Sequence, residues 1–339
     1  MRTPSIILLF LGIALFACKQ DAGNQDAAGN AGLGVQDPSI GKLNQLIQEN
    51  PDDPALYYQR AKVYYDLEGY DEAIQDLQTA LSKDSVNPDY LHLLADTYMD
   101  YYQSFNALKT MEKAAALHPR RIPTLLKLSE FQLILKKPEE ALATLDRIRA
   151  LDPQNPEMFY MAGLIFEDMG KPDQAITSYQ SAVDINPDLI EGWINLGKLW
   201  AAKKEPIALR YFDNALRVDS NNVVALHEKA YYLSNTLDDL QGALDIYQKI
   251  IRTQPQYVEA YFNSGLLYMD MDSLSRAKKE FNMSVQIEPT YYQAYYYRGL
   301  CAEMMGDEEG ARADYMQALN LEPGYERAKE ALGKLDKKK

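Results

Sequence analysis

This chain is short of the residues that most chemistry needs. Its 339 residues hold two cysteines, Cys18 and Cys301, with no Cys-x-x-Cys and no paired spacing. Neither a zinc site nor a disulfide framework is encoded. Three histidines are present. His92 and His227 stand 135 residues apart, and His118 lies just before Pro119 in a turn. They are read as surface residues, and no His-Glu-x-x-His helix occurs among them. The Gly-containing stretch Ala31-Gly32-Leu33-Gly34 lacks the spacing of a phosphate loop, and no nucleophile motif is found. Carboxylates are plentiful, but without a partner base they read as a solvated face. The chain is therefore read as a non-enzyme, with no cofactor and no metal. Bases are also scarce: 35 Lys and Arg face 49 Asp and Glu, a formal charge of −14. Such a surface repels phosphate backbones and speaks against nucleic-acid binding. It favours basic or neutral partners.

Long apolar runs are missing too. Ile6 to Phe16 is an uninterrupted apolar stretch of eleven residues behind Arg2. A helix needs roughly 20 residues to cross a bilayer core of about 30 Å. The length and the flanking base fit a signal peptide instead. Leu15-Phe16-Ala17-Cys18 resembles the bacterial lipoprotein box: an aliphatic residue, a spacer, a small residue, then cysteine. That resemblance implies a signal peptide over 1–17, cleavage before Cys18, and lipid on the cysteine's sulfur and amine. One acyl chain holds a protein only marginally, whereas two or more hold it stably. Lys19 stands where inner-membrane lipoproteins commonly have aspartate, so the expected location is the outer membrane, on its periplasmic face or at the cell surface. Residues 18–36, beginning at Cys18, are rich in Gly, Ala, Asn and Gln with little to bury. They read as a tether with an end-to-end distance of about 23 Å.

What is abundant is alanine, leucine and tyrosine, the last at 25 residues against two tryptophans. They recur with a period. "DEAIQDLQTALSKD", "DQAITSYQSAVDINP" and "EGARADYMQALNLEP" are copies of one pattern. Its alanines are Ala73, Ala107, Ala141, Ala175, Ala208, Ala243, Ala277 and Ala311, spaced by 34 residues except for 33 and 35 around Ala208 and Ala243. A bulky residue follows each alanine by four: Leu77, Met111, Leu145, Tyr179, Phe212, Tyr247, Phe281 and Tyr315. Proline follows by twelve in all but two copies. Upstream, small residues recur at Ala61, Ala95, Ser129, Gly163, Gly197, Ala230, Gly265 and Gly299. Period, small residues, aromatics and proline together resemble the tetratricopeptide repeat. Eight copies fit: 54–87, 88–121, 122–155, 156–189, 190–222, 223–257, 258–291 and 292–325.

The resemblance implies an all-α fold, a right-handed α-solenoid of about eight helix pairs. One pair cannot bury its apolar stripe, so neighbours must stack. Residues 37–53 supply a preceding half-unit helix, with Asp37 as cap and Pro38 in the first turn. Residues 326–339 supply a final helix polar on one face, ending in a basic tail. Both departures from the 34-residue spacing fall in turns, where insertions are tolerated. Cys301 is expected as a small core residue.

Ligands of this family usually bind the concave face, lined by the second, fifth, ninth and twelfth residues of each first helix. These positions share a stripe at 3.6 residues per turn. The expected groove comprises Tyr58, Tyr65, Asp89, Asp96, Glu130, Glu157, Tyr160, Glu167, Glu191, Tyr231, Glu259, Phe262, Tyr296 and Glu303. Bases on the stripe are Lys62 and Lys198. Aromatics offer contact area at low entropy cost and acids attract bases. The clamp that some relatives use for a free carboxylate tail needs lysine at the fifth position and asparagine at the ninth. Here the fifth holds Tyr58, His92, Leu126, Tyr160, Ile194, His227, Phe262 and Tyr296, so such a tail fits poorly. The expectation is a lipid-anchored adaptor that binds a basic or amphipathic segment of another envelope protein. In organisation it resembles the lipoprotein pilotins of pili and repeat lipoproteins that hold cell-wall hydrolases. A self-associating structural protein and a glycan or peptidoglycan binder are the alternatives.

Overall fold

The computed structural model describes residues 37–337. The signal segment 1–17, Cys18 and the tether 18–36 lie outside the described residues, as do the last two of the basic tail. Among the described residues there are eighteen helices and no strand. They fall into two compact units, residues 37–187 and 188–337.

In the first unit, α1 (Pro38–Glu49) precedes four consecutive helix pairs. These are α2 (Pro54–Asp66) with α3 (Tyr70–Lys83), α4 (Pro88–Asp100) with α5 (Ser104–Leu117), α6 (Ile122–Ile134) with α7 (Pro138–Leu151), and α8 (Pro156–Asp168) with α9 (Pro172–Ile185). Asparagine or aspartate starts most of its first helices. Asp53 accepts from the backbone N–H of Ala55 at 2.9 Å, Asn87 from Asp89 at 3.1 Å, and Asn155 from Met158 at 2.8 Å. Asp37 caps α1 through Ser39 at 2.7 Å. Proline follows each of these caps, where its missing N–H costs nothing.

The second unit repeats the scheme with α10 (Ile190–Ala202) and α11 (Ile207–Val218), α12 (Val223–Thr236) and α13 (Leu240–Thr253), α14 (Val258–Asp270) and α15 (Leu274–Ile287), and α16 (Tyr292–Met304) and α17 (Glu308–Leu321). α18 (Glu326–Lys337) follows. It buries Ala328, Ala331 and Leu335 and leaves its charged face outward, which ends the stack in solvent.

Each pair closes on the small residue of its first helix. A Cβ added at Gly163 would stand 2.3 Å from the Tyr179 ring, at Gly197 2.4 Å from Phe212, and at Gly265 2.6 Å from Phe281. Where the first helix carries Ala61, Ala95 or Ser129, the second offers the slimmer Leu77, Met111 or Leu145, and all six are buried. The two columns of the repeat are thus one contact: what one helix gives up in volume the other fills. The turn inside every pair passes through one left-handed residue. Glu68, Tyr102, Lys136, Lys204, Asp238 and Asp272 take it with φ between 56° and 60°, and Gly170 and Gly306 take it too.

A partly buried Arg–Asp–Asn bridge is found in each unit, in identical register. Arg60 donates to Asp76 at 2.7 and 2.6 Å and to Asn44 of α1 at 2.5 Å. Arg298 donates to Asp314 at 2.9 and 2.6 Å and to Asn282 of α15 at 2.8 Å. Asn44 therefore does for α1 what Asn282 does for a second helix, so α1 stacks as a half-unit.

Candidate functional site

The first helices of each unit carry the stripe of side chains expected to face a ligand. In the first unit most of its acids already have partners. Asp89 pairs with Arg121 at 3.0 Å and Asp96 with Lys127 at 2.7 Å, each base coming from the start of α6 or the residue before it. Asp96 is half-buried, and burial raises its carboxyl against the pull of Lys127. Between these pairs lies His92, whose Nε2 is 2.9 Å from the Thr124 hydroxyl. Burial, then Arg121 and Lys127, hold its imidazole down to about 4. His92 is thus a neutral, half-buried member of a network and not the surface residue expected. Tyr65 donates to Asp100, and Tyr58 packs on Tyr90 with centroids 4.9 Å apart. Glu167 accepts the hydroxyl of Tyr179 from its own pair, and Tyr160 packs on that ring at 5.6 Å. Glu130 and Glu157 are exposed, and among the described residues no side chain bonds to them.

In the second unit Glu191 is exposed and Glu259 half-buried. Glu303 accepts from the Tyr315 hydroxyl at 2.9 Å, the same bond that joins Glu167 and Tyr179. Tyr296 sits half-buried in a tyrosine cluster, 5.1 Å from Tyr297, 5.3 Å from Tyr325 and 5.6 Å from Tyr315. Tyr231 packs against the core that includes Tyr247 and Leu266. Phe262 departs from expectation. It is only 5% exposed, packed on Tyr291 at 5.0 Å and on Phe281 and Tyr297 at 5.6 Å. It belongs to the core because Tyr291, the residue before α16, folds over it.

Some members of the site were invisible to the stripe rule. Arg121, Lys127 and the buried Glu228 stand beside the stripe positions, not on them. A spacing of about one repeat between an acid and a base, as in Asp89 and Arg121, is the signal that finds the pairs. His227 is mostly buried, with its ring 5.8 Å from Tyr247, and burial lowers its imidazole. Burial likewise raises the Glu228 carboxyl, against a weaker pull from Lys198. Cys301 is fully buried, and burial pushes its thiol up to about 12. Among the described residues no group of three or more His, Cys, Asp or Glu side chains is placed to hold a metal ion. None of the described helices is long and apolar enough to cross a membrane.

Comparison with known proteins bears on the repeat. Family models described as tetratricopeptide repeat match residues 40–100, 106–165, 258–291 and 292–325, and one described as TPR repeat matches 163–203. The human "Protein O-mannosyl-transferase TMTC3" is 23% identical over 241 residues, 69% of this chain. The match spans about a quarter, 26%, of that protein's length. Among solved structures, PilW, titled a widely conserved type IV pilus biogenesis factor, superimposes with a TM-score of 0.52 at 20% identity. It covers 61% of this chain and 96% of PilW. A tetratricopeptide repeat protein from Parabacteroides merdae gives 0.51 at 21% identity, covering 73% of this chain and 98% of its own. At these identities the structures speak for the fold alone. With the repeat matched over most of the chain, and with consecutive helix pairs in both units, this is a tetratricopeptide-repeat protein.

Proposed function

We propose that this protein is a lipid-anchored interaction scaffold of the bacterial envelope. The first-helix stripe of each unit offers a surface for a basic or amphipathic segment of another envelope protein. The observation that carries the reading is the set of acids left over once the internal pairs are made. Glu130 and Glu157 in the first unit and Glu191 in the second are exposed, and no base among the described residues bonds to them. Exposed acids next to half-buried tyrosines suit a partner that brings positive charge and an apolar edge. Glu167 and Glu303 are spoken for by core tyrosines and act as supports. The anchor reading rests on Leu15 to Cys18, and the outer-membrane reading on Lys19 behind them.

Crosslinking in living cells, followed by mass spectrometry of the captured partners, tests the scaffold. Reversing the charge of Glu130, Glu157 and Glu191 together is expected to lower capture of the main partner at least tenfold, with melting unchanged. Unaltered capture defeats the groove reading. Incorporation of labelled palmitate, lost in Cys18→Ser, tests the anchor separately.

Self-association is a second reading, favoured by one feature of the first unit. Tyr102 and Phe105 are 96% and 76% exposed. Phe105 also lines a hollow of about 540 Å³ with Leu108 and Leu135. Light scattering on wild type and on a Tyr102→Ser/Phe105→Ser variant decides it. A dimer that the variant dissolves supports this reading, and a monomeric wild type removes it.

A further inference from the structure

The α12–α14 region of the second unit holds a knot of buried polar atoms that the chain leaves unpaired. His227 Nδ1, the Tyr247 hydroxyl and Asn263 Oδ1 are buried with no hydrogen-bond partner. Tyr247 is fully buried and Asn263 4% exposed. A buried polar group without a partner is costly, and such groups normally find one. Two carboxylates stand with them. Glu228 is 8% exposed, and among the described residues no side chain hydrogen-bonds to it. Glu259 lies one turn before Asn263 on α14, so the two share a face.

Three of these groups, His227, Tyr247 and Glu228, lie together. The His227 and Tyr247 rings meet edge-on at 5.8 Å and 71°. The Tyr247 hydroxyl lies within electrostatic reach of Glu228, Tyr231 and Tyr257, and Tyr257 within reach of both Glu228 and Glu259. Their common chemistry decides what fits. Carboxylates and an amide oxygen only accept hydrogen bonds, and an imidazole nitrogen or a phenol oxygen can accept. A set of acceptors with negative charge and aromatic walls is matched by a group that has several donors, positive charge and a flat face. Guanidinium has five donors in a planar fork and stacks on aromatic rings; ammonium has three donors and does not stack.

Resting on the groove reading above, we propose that this knot is the specificity pocket of the groove and receives an arginine side chain of the partner segment. The guanidinium lies against Tyr231 and Tyr257, held by Glu228 and Glu259 with His227, Tyr247 and Asn263 completing its hydrogen bonds.

The probe is N-acetyl-arginine amide, with N-acetyl-citrulline amide as its uncharged mimic, titrated into the full chain labelled at its three histidines. His227 ring resonances are expected to shift saturably with the arginine amide and not with the citrulline amide, while His92 and His118 stay still. Glu228→Gln and Glu259→Gln are expected to weaken this binding at least tenfold each. Glu139→Gln, exposed on the second helix α7 of the other unit and off the stripe, leaves it unchanged. Glu228→Gln carries a second readout. If Glu228 served only the fold, losing its charge would lower the melting midpoint; as a strained pocket acid, its loss raises the midpoint by about 2–4 °C. No His227 shift, or a shift that survives both glutamate variants, overturns the pocket. A basic amphipathic peptide separates the two proposals. Peptide binding without any change at His227 sinks the pocket and spares the groove. Arginine-amide binding at His227 without peptide binding removes the groove reading, and with it the role of this knot as the groove's pocket.

Discussion

The start of α4 and the start of α16 occupy the same place in the repeat and solve it differently. Before α4, Asn87 spends its side chain on the backbone N–H groups of Asp89 and Tyr90. Before α16, Tyr291 makes no such bond and instead lays its ring over Phe262. Tyr257 and Tyr325 stand at the same point of their repeats, and Tyr325 meets Tyr292 at 4.9 Å. The first unit thus caps α2, α4 and α8 with Asp or Asn, whereas the second sets tyrosines before α14, α16 and α18 and, among its first helices, keeps a cap, Asn222, only at α12. Acids follow suit: Asp89 and Asp96 are neutralised by Arg121 and Lys127, whereas Glu228 has only the distant Lys198 to moderate its burial. At this point of the repeat the first unit pairs its acids with bases, while the α12–α14 region sets Glu228 beside Tyr247 and Tyr257.

The sharpest way to break this comparison is to remove one device from each unit. Tyr291→Ala deletes a ring that covers Phe262 and is expected to cost about 3 kcal/mol in urea unfolding. Asn87→Ala deletes a cap and is expected to cost about 1 kcal/mol. Equal costs would mean that the tyrosine is a surface ornament and that Phe262 is held by other neighbours.

Next in size is the small-residue contact. Gly265→Ala puts a methyl 2.6 Å from the Phe281 ring, and the core behind that ring gives it nowhere to go. The expected loss is about 1–3 kcal/mol. A second substitution, Phe281→Leu, should recover part of that loss, because Leu77 and Leu145 sit opposite Ala61 and Ser129 elsewhere in the same register. Purely additive losses would show that the two residues do not share one space.

Neutralising one acid in each unit gives effects of opposite sign. Asp96→Asn strands the partly buried Lys127 and is expected to destabilise by roughly 1 kcal/mol. Glu228→Gln removes a buried charge and is expected to stabilise by a similar amount, roughly 1 kcal/mol. Chemical denaturation of both variants at neutral pH reads the pair. Two losses would mean that Glu228 is as well served by its own chain as Asp96 is.

Much of the fold was legible because its period is written twice, once in Ala73 to Ala311 and once in Ala61 to Gly299. Steric pairing between the columns leaves little choice, as Gly163 and Tyr179 show. The site was less legible for a physical reason. The stripe rule says which side chains leave one helix in one direction; it does not say what the neighbouring repeat sends to meet them. Asp89 and Asp96 were readable as groove acids, but Arg121 and Lys127 approach from the next pair. Phe262 was readable as an exposed aromatic, but Tyr291 lies beyond the helix that carries it. Glu228 and Asn263 stand one residue off the stripe and face sideways along the stack, where sequence periodicity assigns core.

The smallest expected effect concerns His92, and its sign follows from the pairs around it. The folded protein holds this imidazole down to about 4, against an ordinary value of 6.5. Between those values the unfolded chain binds a proton that the folded one refuses. Stability from this group is therefore full above pH 6.5 and is lost as the pH falls toward 4. His92 is only half-buried and is screened by solvent, so the loss should stay near or below about 1 kcal/mol. Asp96 opposes it, since burial raises that carboxyl and favours the folded state on acidification. The contribution is best isolated as the difference between wild type and His92→Gln in urea midpoints from pH 7 to pH 4. Wild type should lose ground to the variant steadily across that range. A constant difference would mean that Arg121 and Lys127 do not bear on His92, and that the first unit's network is looser than its distances imply.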